Sequence, residues 1–209
     1  MANEVEINKG ELEGAGMRKE LEAHLASLLE RKGAEPELGG PPLYWDIVAI
    51  GPFQDPSVSP SRLIEVGEPA TILTWVYLNP SVPSPYPGQN ACDQITGFGA
   101  SIELNFVTSN MQSMTPAAAL THQHCIKTTP GQCWYPYFYT FTPREAGCLY
   151  EMNICARICN CDNRYVRQYS AFARWVENLD YDLIFGAPAW QFDHSIRFMA
   201  ADYNVLCGC

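Results

Sequence analysis

Residues 132–161, Gln-Cys-Trp-Tyr-Pro-Tyr-Phe-Tyr-Thr-Phe-Thr-Pro-Arg-Glu-Ala-Gly-Cys-Leu-Tyr-Glu-Met-Asn-Ile-Cys-Ala-Arg-Ile-Cys-Asn-Cys, constrain the fold more than any other stretch. They read as two long strands, 133–142 and 147–159, joined by a tight turn that opens on Pro143 and closes on Gly147. Aromatic and β-branched side chains suit a pleated surface, and proline and glycine punctuate it. A β core follows, and so does a chemical question, because cysteines stand along both strands.

Alternation sorts the second strand. Cys148, Tyr150, Met152, Ile154, Ala156 and Ile158 share the face that belongs in the core, which makes Cys148 a buried packing thiol. Leu149, Glu151, Asn153, Cys155, Arg157, Cys159 and Cys161 share the other, more polar face. Thiols two residues apart on a strand are separated by roughly 6.5–7 Å, at the limit of a disulfide, so each would bond to a neighbouring strand instead.

The rest of the chain divides at a linker. Met17, Leu21, Leu25, Leu28 and Leu29 recur on one face of a helix over residues 11–32, with Glu11 and Glu13 before them and Arg31 and Lys32 at the end, as the helix dipole favours. Residues 34–42, Ala-Glu-Pro-Glu-Leu-Gly-Gly-Pro-Pro, forbid continuation. The domain division is therefore 1–42, a helix and linker, and 43–209, a β domain. Within it strands are expected at 43–50, halted by Gly51-Pro52, at 62–66 and 69–78 as a hairpin-like pair, at 96–108 and at 192–200, where Phe192, His194, Ile196 and Phe198 share a face. A proline-rich loop is expected at 79–93, irregular chain at 109–131 with one helical turn at 116–120, and a second helix at 163–179 from the spacing of Tyr165, Tyr169, Phe172, Val176 and Leu179.

About seven strands without βαβ alternation point to an antiparallel sandwich. Residues 143–154, Pro-Arg-Glu-Ala-Gly-Cys-Leu-Tyr-Glu-Met-Asn-Ile, resemble the strand E to strand F corner of immunoglobulin-like and fibronectin-III-like domains, where a Gly-x-Tyr segment opens strand F. Residues 64–70, Ile-Glu-Val-Gly-Glu-Pro-Ala, are similar to their passage from strand A′ to strand B. The resemblance implies an immunoglobulin-like sandwich and no particular activity. The chain departs from it in two places: strand B, residues 71–78, has no cysteine for the usual bridge between sheets, and a helix stands where a short F–G hairpin is expected.

Charge and cysteine usage bound the function. A net charge of −10, with 13 basic and 23 acidic residues, disfavours nucleic acid and anionic membrane surfaces. No apolar run approaches the roughly 20 residues of a transmembrane helix, and the acidic first ten residues carry no secretory signal, which implies the cytosol. Nine cysteines imply the opposite, an oxidising place, and an odd number cannot all pair within the chain. Metal ligation, buried thiols, or export would reconcile the two. Leu38-Gly39-Gly40, after a helix and before every cysteine, has the form of a double-glycine leader for such export.

His122, His124, Cys125, Cys159 and Cys161 form the candidate metal set, for zinc, with spacings His-x-His-Cys and Cys-x-Cys in place of the usual Cys-x-x-Cys. His194 would approach Cys159, and the terminal Cys207-Gly208-Cys209 would lie near Cys148 and Cys133. No phosphate loop, His-Glu-x-x-His or Gly-x-Ser-x-Gly motif occurs. The aromatic run 133–141 has rings on both faces; one belongs in the core, and the other is expected under the 163–179 helix through Phe172 and Trp175. The function expected first is a non-catalytic assembly or interaction module, with Met17, Leu21, Leu25, Leu28 and Leu29 docking on a protein partner or a second copy. The alternatives are a metal-binding or redox-active thiol protein, and a small enzyme whose site no motif reveals.

Overall fold

The computed structural model describes Lys19, Ala23, Ser27 and residues 44–55, 59–159, 169–176 and 195–202. It is mainly β, with eleven strands among the described residues: β1 (Trp45–Gln54), β2 (Leu63–Glu65), β3 (Ala70–Leu78), β4 (Ser101–Asn110), β5 (Thr115–Pro116), β6 (His122–Lys127), β7 (Trp134–Phe141), β8 (Cys148–Cys159), β9 (Tyr169–Phe172), β10 (Arg174–Val176) and β11 (Ile196–Ala201). Between described strands stand a short helix, α1 (Ala91–Gly97), and a 3-10 turn at Ala118–Leu120.

The strands form two sheets. The four-stranded sheet runs β10-β1-β3-β7; the seven-stranded sheet runs β2-β11-β8-β4-β5, with β6 also on β4 and β9 also on β8. Most pairs are antiparallel; β10 on β1 and β2 on β11 are parallel. The sheets meet across one core. Ile47, Ala49, Ile72, Val76, Leu78, Tyr139 and Phe141 face Ile102, Leu104, Phe106, Met152, Ile154, Ile158 and Phe198. Ring contacts bridge the sheets, Phe106 to Tyr139 at 4.7 Å and Phe141 to Phe198 at 5.4 Å.

The long strands expected at 133–142 and 147–159 both form, and Tyr150, Met152, Ile154, Ala156 and Ile158 are buried as their alternation requires. They lie in different sheets: β7 pairs with β3, and β8 with β4 and β11. Thr142–Gly147 is therefore a corner that crosses the roughly 10 Å between facing sheets. Gly147, at φ +74°, turns the chain and donates its N–H to Ala200.

Several expectations are corrected. β1 does not halt at Gly51-Pro52; it passes through a cis peptide and a register shift, and Phe53 and Gln54 resume pairing with Thr71 and Ala70. Residues 62–66 and 69–78 make no hairpin, because β2 pairs with β11 and β3 with β1 and β7. The strand expected to begin at Thr96 begins at Ser101, since Thr96 belongs to α1. α1 itself was hidden in the proline-rich stretch; Asn90 and Asp93 form a reciprocal capping box at its start. The stretch expected to be irregular, 109–131, holds β5 and β6 besides the helical turn.

The helix expected over 163–179 is overturned where it is described. Tyr169–Phe172 pairs with β8, and after Ala173 the chain crosses to the other sheet, where Arg174–Val176 pairs with β1. Unpaired backbone groups on the edges of β8 and β1 outweigh the helical spacing of the side chains. The last strand forms from Ile196, with Ile196 and Phe198 buried and Arg197 exposed; Phe192 and His194 lie outside the described residues.

Candidate functional site

β6 is an edge strand whose side chains alternate between the core and solvent. His122, His124 and Ile126 turn inward, half-buried, while Gln123, Cys125 and Lys127 are exposed. The two imidazoles close the seam between β6 and β7. His122 Nε2 lies 2.7 Å from the Tyr137 hydroxyl, and its ring stacks on Tyr139 at 4.8 Å. The His124 ring stacks on Tyr137 at 4.1 Å. Burial, and then the proximity of His122, hold the His124 pKa below the usual histidine value. Burial pushes the Tyr139 phenol up to about 12, so it stays neutral.

The structure thus brings together two members of the expected metal set, His122 and His124. Cys125 stands on the opposite face of the same strand, at the rung of Glu103. Cys159 is buried at the end of β8, which β4 separates from β6. Cys161, His194, Cys207 and Cys209 lie outside the described residues. Among the described residues no three His, Cys, Asp or Glu side chains gather as a metal site.

A disulfide that sequence spacing did not reveal joins Cys92 of α1 to Cys133 before β7, 41 residues apart with Cα atoms 5.5 Å from each other. Cys133, expected near the C-terminal cysteines, is therefore committed elsewhere. It pins α1 across the open end of the core, where Cys92 and Ile95 are buried. Cys155 keeps its thiol outside any disulfide, half-buried at the rung of Phe172 and Asn105, and burial raises its pKa. Cys148, expected to be buried, is only half-buried, with its Sγ 3.7 Å from a Glu145 carboxylate oxygen. Glu145, Arg144, Ser113 and Tyr150 on one side, and Pro116, Ala118 and Leu120 on the other, line a half-open cavity of about 260 Å³ at that end of the molecule. Burial and the neighbouring Cys148 push the Tyr150 phenol up to about 12.

The outward faces of the two sheets differ in chemistry. On the seven-stranded sheet it carries ion pairs beside exposed Val107, Phe172 and Met199: Arg157 pairs with Glu103 at 2.7 Å, and Arg197 with Glu151 at 2.8 Å. The guanidinium of Arg157 holds the Glu103 carboxyl below its ordinary range. On the four-stranded sheet it is apolar at its centre and polar at its ends, where Asp46 and Thr71 are buried and Thr71 hydrogen-bonds Thr140. Ile50, Leu73, Trp75 and Tyr77 point away from the inter-sheet core, yet they are only 2%, 1%, 3% and 4% exposed. Val48 lies beside them, and Trp134 extends the layer, stacked on Tyr77 at 4.0 Å and edge-on to Trp75 at 5.1 Å. The aromatic run divides as expected, with Tyr135, Tyr139 and Phe141 in the core and Trp134 and Phe138 outward. The expected cover is corrected: Phe172 belongs to a strand of the other sheet and is 62% exposed.

Met17, Leu21, Leu25, Leu28 and Leu29 lie outside the described residues; of residues 11–32, Lys19, Ala23 and Ser27 are described, and they are helical. Among the described residues no helix is long and apolar enough to cross a membrane. No protein-family model matches this chain, and no curated protein matches it.

Proposed function

We propose that this protein is a non-catalytic assembly module, an immunoglobulin-like sandwich that docks an amphipathic helix on the outward face of its four-stranded sheet. The observation that carries this reading is the second apolar layer of Val48, Ile50, Leu73, Trp75 and Tyr77, which lies outside the core shared by the two sheets. A sheet face of that composition is stable only when covered, and an apolar helical stripe is a suitable cover. The chain carries such a stripe at Met17, Leu21, Leu25, Leu28 and Leu29. Each copy therefore carries both halves of the joint, and because the face is already covered within one chain, a second copy docks only by displacing that cover.

Strand order supports the architecture. β1-β3-β7 corresponds to A-B-E, and β2-β11-β8-β4 to A′-G-F-C, with β6 beyond β4 as C′. β9 and β10 are then an insertion between F and G that bridges the two sheets.

A synthetic peptide of residues 11–32 tests the docking. Alone it is too short to be a stable helix in water. Added to the full-length chain, it is expected to bind saturably, with a gain in helical circular dichroism, and a peptide carrying Leu21→Asp and Leu25→Asp is expected not to bind. No binding of the unmodified peptide would refute the proposal.

A further inference from the structure

We infer that the half-open cavity beside the Thr142–Gly147 corner binds a single free α-amino acid with an apolar side chain. Arg144 takes its carboxylate, Glu145 its ammonium, and the wall of Pro116, Ala118 and Leu120 its side chain. The inference is independent of the assembly reading, since no residue of the outward apolar layer of the four-stranded sheet lines this cavity.

Charge selects the ligand. Among the described residues that line the cavity, Arg144 and Glu145 alone are charged. They are neighbours in sequence and opposite in sign, yet they form no ion pair with each other, and among the described residues no other carboxylate pairs with Arg144. Glu145 has the Cys148 thiol beside it at 3.7 Å, which does not cancel its charge. The buried Tyr150 phenol stays neutral, because burial and Cys148 raise its pKa. A chain of net charge −10 repels anions at long range, so a ligand that carries a positive group as well enters where a bare carboxylate is disfavoured. A free α-amino acid holds both charges on one carbon. A peptide end brings only one.

Size and lining narrow the choice. A volume of about 260 Å³ falls below the roughly 300–1,000 Å³ of pockets that hold drug-sized ligands, so the occupant is no larger than one residue. Opposite the two charges the wall is Pro116, Ala118 and Leu120, which suits an apolar side chain.

The walls are fixed by the backbone. The corner that carries Arg144 and Glu145 is anchored at both ends: the Pro143 carbonyl accepts from the Gly67 N–H at 2.9 Å, and the Gly147 N–H donates to the Ala200 carbonyl at 2.8 Å. Gln112 Nε2 donates to the Gly147 carbonyl at 2.7 Å and ties the turn after β4 to the corner. Thr108 holds the apolar wall. Its hydroxyl donates to the Leu120 carbonyl at 2.8 Å, and its carbonyl accepts from the Ala117 N–H at 2.8 Å. Walls anchored in this way limit the ordering cost of binding.

Isothermal titration of the full-length chain with L-leucine, L-methionine and L-phenylalanine tests the site. At least one of them is expected to bind saturably. For that amino acid the N-acetyl form, which lacks the ammonium, and the amide form, which lacks the carboxylate, are expected to bind about tenfold more weakly or worse, the cost of losing a charged hydrogen bond. Arg144→Gln and Glu145→Gln, both at exposed positions, are expected to weaken binding as much with the β circular dichroism unchanged. Ala118→Leu, which fills the apolar side without altering charge, is expected to abolish it. No saturable binding of any of the three amino acids would overturn the inference. So would undiminished binding by Arg144→Gln or Glu145→Gln, or an N-acetyl or amide form that binds as tightly as the amino acid. If a charge variant loses its β signal, the two modified ligands on the unaltered chain decide.

Discussion

Cys92 and Cys133 are bonded across 41 residues of sequence, and the bond fastens the helix α1 to the residue before β7. A closed loop of that size restricts the unfolded chain by about 4 kcal/mol in the chain-entropy account. Reductant is therefore expected to lower the melting temperature by several degrees, and Cys92→Ala with Cys133→Ala to reproduce the loss. A chelator is expected to leave the melting temperature unchanged, because His122 is engaged by Tyr137 and Cys125 faces away from both histidines. Differential scanning calorimetry with each reagent separately checks both statements; a chelator-sensitive transition would restore the metal reading.

The β6–β7 seam carries a pH dependence. In the folded protein the His124 pKa is lowered by burial and by His122, so between that value and the ordinary 6.5 the unfolded chain binds more protons than the folded one. Stability contributed by neutral His124 is fully present above pH 6.5 and is lost as pH falls through its folded value. The groups around it are the His122 ring and the phenol of Tyr137. Denaturant unfolding at a series of pH values is expected to show a decline below pH 6.5 that His124→Gln removes. An unchanged decline would assign it to another group. Tyr137→Phe, which deletes the hydrogen bond to His122, is expected to cost about 1 kcal/mol.

Gly51 sits at φ +128°, where a side chain is strained, and a Cβ there would lie 2.9 Å from the Thr71 carbonyl oxygen and 3.3 Å from the Ile72 Cα. These are backbone atoms of the neighbouring strand and cannot rotate away. Gly51→Ala is expected to cost on the order of 1–3 kcal/mol from the backbone conformation alone, and more from the clash. Gly97→Ala is the control, since nothing lies within 4 Å of its added Cβ, and its effect is expected to be within about 1 kcal/mol of neutral. Equal effects at the two positions would contradict the register assigned to the bulge between β1 and β3.

How much of this was legible depended on whether a side-chain pattern or a distant backbone partner decided the outcome. The inward faces of β4 and β8 follow directly from period-2 alternation: Ile102, Leu104 and Phe106 on one, Met152, Ile154 and Ala156 on the other. At Tyr169–Phe172 the side chains have helical spacing, but the free edge of β8 takes the backbone as a strand, and that edge is invisible locally. β6 alternates too, yet its inward residues are histidines, which read as polar until their aromatic neighbours are known. The apolar layer of the four-stranded sheet was obscured by its own strength. In β3 Leu73, Trp75 and Tyr77 interleave with Ile72, Val76 and Leu78, so the strand is one apolar run and does not show that two different surfaces cover it. The Cys92–Cys133 pairing was beyond reach, since nine cysteines fix no connectivity.

Sedimentation velocity of the full-length chain over a wide concentration range, beside the same chain carrying Leu21→Asp and Leu25→Asp, tests assembly through the helix most directly. The account predicts a species larger than the monomer that grows with concentration and exchanges slowly in the unaltered chain, and monomer alone in the variant. Equal association of the two proteins would contradict it, as would an unaltered chain that remains monomeric throughout.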